Sequence, residues 1–167
     1  MKVVKINVTG EFIGEKYLKE SPLKTDKVLF NVYNFKPWQT LGTHKHPAND
    51  EIFFVVEGHC IFFLEGESRD LSENMAIYVP SGSNHAALSR DNNAVLISVI
   101  GPQPVESIYT RGHEYYCPAC SLEAPAASTD GIVTCPRCHA NLKLTKEGDF
   151  IEAVEITGET PPEAEAR

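Results

Sequence analysis

Three histidines, one glutamate and four cysteines are the side chains of this chain best suited to holding metal ions. His44 and His46 are two apart, so on a strand both imidazoles point to the same face. Glu51 follows after the turn-prone Pro47-Ala48-Asn49-Asp50, and His85 lies beyond Pro80-Ser81-Gly82. Any one of these residues alone reads as a polar surface or loop side chain. Together, three imidazoles and a carboxylate make an open site for one divalent metal, with Fe, Mn, Ni or Zn all compatible with the donors. Such an ion could hold substrate heteroatoms and O2 side by side, with Glu51 also placed to leave it and act as a base.

The cysteines form a separate group. Cys117-Pro118-Ala119-Cys120 and Cys135-Pro136-Arg137-Cys138 are two Cys-x-x-Cys pairs with 14 residues between them. Four thiolates at this spacing match the closed tetrahedral site of a zinc ribbon. Iron is the rival occupant, because rubredoxin-like sites use the same pairs. Zinc is favoured, since Ser121 to Thr134 carries no aromatic shield and Ser121 and His139 stand where rubredoxins commonly have Gly. His139 is expected to face solvent. The fifth cysteine, Cys60, reads as a packed small hydrophobe or a residue facing the interior.

Elements able to position these groups are short strands. Lys27 to Phe35 alternates like a half-buried strand, and Met75 to Val79 and Ala94 to Ile100 are further strands. Glu51 to Glu57 and His59 to Leu64 are broken at Gly58, which predicts a hairpin. Their aromatic runs are expected to line a barrel or a dimer interface. No window has convincing helical periodicity, although Glu15 to Glu20 could form a short turn. Many short strands at even spacing predict an all-β barrel over residues 1–105. A four-cysteine, zinc-ribbon-like segment follows over 106–156, with Asn141 to Leu144 and Phe150 to Ile156 as a strand pair. Residues 157–167 are acidic and proline-containing, and disorder is expected there.

Composition sets outer limits. Against 15 basic residues stand 23 acidic ones, a formal net charge of -8, which disfavours nucleic acid as a partner. No apolar run is long enough to cross a bilayer, and the first residues lack a signal-peptide core, so neither membrane nor export is expected. Cysteines paired for metal binding rather than for disulfides fit a reducing compartment, and the cytoplasm is the default expectation.

Two motifs in the first hundred residues resemble the cupin family. The first runs His-x-His, four residues, Glu, six residues, Gly, and is met by His44, His46, Glu51 and Gly58. The second runs Pro-x-Gly, two residues, His, and is met by Pro80, Gly82 and His85. Trp38 and Asn74 stand where these motifs usually open with Gly, and Ser89 where the second ends with Asn. The resemblance implies a double-stranded β-helix (jelly-roll) barrel with the four ligands on one ion, and a homodimer paired through its sheets. A barrel followed by Tyr115-Tyr116-Cys117 and a C-terminal metal knuckle also resembles, in architecture, the bacterial 3-hydroxyanthranilate 3,4-dioxygenases. That likeness implies Fe(II) on His46, Glu51 and His85; His44 and the His46–Glu51 spacing depart from it. The resulting expectation is a metal-dependent oxidoreductase of the dioxygenase type acting on a small molecule. The alternatives are a small-molecule binding module with the ribbon as a docking segment, or a non-redox isomerase or decarboxylase.

Overall fold

The structure is a computed structural model that describes residues 1–6, 12, 14 and 16–156. The expected disordered tail lies outside the described residues. Fifteen strands and no helix are found among them. In chain order they are β1 (Leu18–Lys24), β2 (Leu29–Phe35), β3 (Thr40–Lys45), β4 (Asp50–Glu57) and β5 (His59–Leu64). Then come β6 (Glu67–Ser72), β7 (Ala76–Val79), β8 (His85–Ser89), β9 (Ala94–Gly101) and β10 (Ile108–Tyr109). The last five are β11 (Glu114–Tyr116), β12 (Glu123–Pro125), β13 (Gly131–Thr134), β14 (Asn141–Glu147) and β15 (Phe150–Glu155).

Two five-stranded sheets face each other, in the orders β1-β2-β9-β4-β7 and β10-β3-β8-β5-β6. Alternation along each strand sends one set of side chains between them. Tyr33 and Phe35 from β2, Phe53 and Val55 from β4, and Cys60 and Phe62 from β5 fill that interior. The predicted hairpin is not formed. β4 pairs with β7 and β9, whereas β5 pairs with β6 and β8, so the chain crosses from one sheet to the other at Gly58. Gly58 has φ +79°, and a Cβ there would sit 2.1 Å from the Asn93 carbonyl oxygen. Hydrophobic pattern and a glycine mark the break between two strands, but not whether they pair. The turn expected over Glu15 to Glu20 begins outside the described residues, and its second half is strand instead, because β1 starts at Leu18.

Departures from the motif glycines are absorbed by the backbone. Trp38 and Asn74 both adopt left-handed conformations, at φ 65° and 67°. Ser89 substitutes for the missing Asn. Its hydroxyl donates to the Lys36 carbonyl at 2.6 Å and accepts from the Gln39 amide at 3.0 Å, closing the turn before β3.

A third sheet, β12-β11-β15-β14-β13, carries the cysteines, and the predicted pairing of β14 with β15 is present. Its core of Tyr115, Leu122, Ala124, Leu142, Leu144 and Ile151 is continuous with Leu88 on the barrel's outer face. Trp38, Ile61 and Phe63 pack into the same cluster. The aromatic runs therefore divide: Phe53 and Phe62 point into the barrel, Ile61 and Phe63 lie under the cysteine sheet, and Ile52 is half exposed. The two units are also stitched by polar contacts. Thr43 N donates to Glu114 Oε1 at 2.7 Å, and Thr40 Oγ1 donates to the Glu123 carbonyl at 3.1 Å. No helix among the described residues is long and apolar enough to cross a membrane.

Candidate metal centres

Both facing sheets contribute to the first centre. His44 on β3 lies directly opposite His85 on β8, and Glu51 comes from β4 in the other sheet. A register shift between Leu41 and His44 puts a bulge at Gly42-Thr43. The extra residue reverses the alternation, so Leu41 packs in the core while His44 also turns inward. His46 sits just past the end of β3. One ligand atom from each of His44, His46, Glu51 and His85 lies within 4.8 Å of the other three, and all four residues are buried.

Each imidazole is oriented from behind by a backbone carbonyl. His44 Nδ1 donates to Gly42 O at 2.9 Å, His46 Nδ1 to Glu106 O at 2.6 Å, and His85 Nδ1 to Ser83 O at 3.0 Å. A carbonyl can only accept, so the proton belongs on Nδ1, which leaves the Nε2 lone pairs for the centre. Backing of this kind is usual for metal-bound histidines. Glu51 Oε2 stands 3.2 Å from His46 Nε2 and 3.3 Å from His85 Nε2. Neither Glu51 Oε2 nor His85 Nε2 has a hydrogen-bond partner despite full burial. Such orphaned polar atoms are costly in a folded protein unless something else satisfies them, and a shared cation would do so.

Electrostatics point the same way. Burial, followed by the neighbouring His85, lowers His44 to about 4, which keeps it neutral. Burial alone would raise Glu51, but His46, His85 and Ser98 outweigh it and hold the carboxyl at about 2. A neutral His44 beside an ionised Glu51 matches the donor states a divalent ion requires.

Two supporting residues carried no signal of function in the sequence. Asn49, in the turn between β3 and β4, is buried and donates through Nδ2 to the carbonyls of Pro102 and Pro104. Its Oδ1 accepts from Glu106 N at 3.4 Å, which fixes the carbonyl that orients His46. Tyr109 on β10 stacks on the His44 ring at 5.3 Å between centroids, with 27° between planes. No local pattern marks either residue, since a turn-prone Asn and a two-residue strand look unremarkable until the chain returns past β3. Phe53 and Phe62 close the inner side against the His85 ring. Cys60 is a core residue whose thiol burial pushes up to about 12, so it offers no nucleophile. His59 is exposed at the start of β5.

The second centre is the cysteine group. Cys117 Sγ lies 3.6 Å from Cys138 Sγ, and Cys120 Sγ lies 3.7 Å from Cys135 Sγ. These separations are far too long for disulfides. Thiolates about 2.3 Å from one zinc ion in a tetrahedron stand about 3.8 Å apart, which fits. Burial pushes the Cys135 thiol up to about 12, so this sulfur ionises only against a cation. Two matching turns build the group, with Ser121 N donating to Cys117 O and His139 N to Cys135 O. Ser121 and His139 both have positive φ, 58° and 60°. The absence of Gly after each second cysteine therefore does not signal a different backbone there. His139 is exposed, as expected.

The fold and the double motif together define a cupin barrel. Residues 31–100 match the cupin domain family. A curated relative, the tetracenomycin polyketide synthase protein TcmJ of Streptomyces glaucescens, is 28% identical over 72 residues, 41% of this chain and 48% of its own length. The chain thus aligns with about half the length of that relative. Among solved structures, TT1209 from Thermus thermophilus superposes with TM-score 0.58 at 24% identity, covering 62% of this chain and all of that one. The DMSP lyase DddQ of Ruegeria pomeroyi gives 0.53 at 20% identity, over 64% of this chain and 59% of that one. At such identities the likeness is one of fold.

Proposed function

We propose that this chain is a metal-dependent cupin oxidoreductase of the dioxygenase type, with one divalent ion on His44, His46, Glu51 and His85 and a small organic molecule as substrate. The observation that carries the metal dependence is the convergence of three carbonyl-backed imidazoles on an otherwise unsatisfied buried carboxylate. When bound, the ion supplies Lewis acidity and one-electron chemistry to a substrate beside it.

The chain's own side chains favour the redox reading over an acid–base one. Apart from Glu51 and the imidazoles, the buried polar residues of the barrel are Asn31, Asn34, Thr43, Asn49, Ser89 and Ser98, none of which titrates. Tyr33, within the core, is held protonated by burial and by Glu51. An isomerase or decarboxylase would need a proton donor and acceptor placed around the substrate. Among these buried residues Glu51 is the one held ionised, in the form that both a ligand and a base require. Zinc on Cys117, Cys120, Cys135 and Cys138 would be structural, fastening the third sheet to the barrel wall.

We also propose a homodimer formed through the outer face of the first sheet. Ile52, Tyr78 and Val99 lie side by side there and are 50%, 54% and 41% exposed. Phe30 continues the row across β2.

Oxygen uptake by natively purified protein, with a panel of catechols and enediols, tests the reaction. Consumption that disappears in Glu51→Ala supports it. Zinc in both centres with no oxygen consumed contradicts it.

A further inference from the structure

A groove of about 1050 Å³, distinct from the metal centre, lies where the barrel meets the cysteine sheet. Lys16, Lys19 and Lys36 line it from the barrel, and Arg137 reaches it from between the last two cysteines. Four cations in one cavity are unexpected in a chain whose formal net charge is -8. Two carboxylates share the wall, Glu114 and Glu123, but both have other engagements. Glu114 accepts from the Thr43 amide, and Glu123 faces the Tyr116 phenol. Among the described residues none of the four cations forms an ion pair.

Two of these cations stand over aromatic rings, of which Trp38 lines the groove. The Arg137 guanidinium stands 6.0 Å from the centre of the Trp38 ring, and the Lys19 ammonium 5.3 Å from that of Tyr33. Cations held over rings keep their charge available to a further partner. Tyr109 lines the groove and stacks on His44, and Gly42 lines it while its carbonyl orients the same ring. The groove therefore abuts the mouth of the barrel. Its wall is completed only by the third sheet.

We infer that this groove binds a small organic anion, a carboxylate on a flat apolar body, with Arg137 and Lys36 as its charge partners and Trp38 as its platform. The cysteine segment then does more than stabilise, because it supplies one guanidinium of the site. Binding is independent of which reaction the barrel carries out. A metal ligated on the four barrel residues and an anion in the groove can be gained or lost separately.

Trp38 is the only tryptophan, so intrinsic fluorescence reads this groove directly. The probe is phthalate, with uncharged dimethyl phthalate as its twin, titrated into the full-length protein. The expected result is a saturable change with phthalate alone. Affinity should fall at least five-fold in Arg137→Gln/Lys36→Gln, and by a similar factor between about 20 and 200 mM NaCl, as screening requires. Glu51→Ala is expected to bind phthalate within about three-fold of the parent. No saturable response, equal response to the ester, or salt-insensitive binding would overturn the inference. So would loss of binding in Glu51→Ala with the double variant unaffected, since the anion would then sit on the metal.

Discussion

Three imidazoles turned by three carbonyls are the smallest unit of the barrel site. Asn49 shows how far that orientation reaches, because it holds Glu106, which in turn orients His46. Asn49→Ala keeps all four ligands, yet it is expected to weaken barrel metal affinity about 10- to 100-fold, the usual size of such outer contacts. Competition with a chelator reads this directly, and unchanged affinity would remove Asn49 from the site. In protein freed of metal, His44 also predicts a pH dependence. Its folded-state pKa, about 4, lies below the unfolded value of about 6.5. Between those values the unfolded chain binds the extra proton, so stability falls as pH drops from about 6.5 towards 4. Urea midpoints at pH 7 and pH 5 should differ in that direction, and by less in His44→Phe. The grouping of His44, His46, Glu51 and His85 was legible in the sequence, because they keep a spacing that only a return of the chain can exploit. Asn49 and Tyr109 were not, since they act through backbone brought back from about sixty residues away.

At the level of strands, crossing points decide what the site can be. Gly58 lets β4 and β5 enter opposite sheets, which places Glu51 across the barrel from His44 and His85. Gly58→Ala meets both an unfavourable φ and the Asn93 carbonyl, and is expected to cost about 3 kcal/mol. Thermal or urea unfolding measures it, and a loss below about 1 kcal/mol would mean that the crossing relaxes easily. Asn74 provides the contrast: at φ 67° and exposed, Asn74→Gly should change stability by less than about 0.5 kcal/mol. Strand positions were largely readable from alternation, as for β2, β7 and β9. Partners were not, because the same glycine break serves a hairpin or a crossover. β10 to β13 escaped notice because two- to four-residue strands are too short to show a period.

Over the whole molecule, two candidate metal centres and one shared wall make a single unit. Ile61, Phe63 and Leu88 belong to the barrel but pack into the core of the cysteine sheet, so losing the second metal should expose barrel surface as well. The outer face of the first sheet carries a separate prediction. Light scattering should report a dimer for the parent and a monomer for Ile52→Glu/Val99→Glu, whereas an already monomeric parent would end the proposed pairing. Four residues from two sheets would hold one ion independently of the cysteines. Elemental analysis of natively purified chains tests it most directly. The parent should carry about two metal equivalents, Glu51→Ala should keep the zinc and lose most of the other, and Cys135→Ser should lose zinc. A parent with one equivalent, held by the cysteines alone and indifferent to Glu51→Ala, would contradict it.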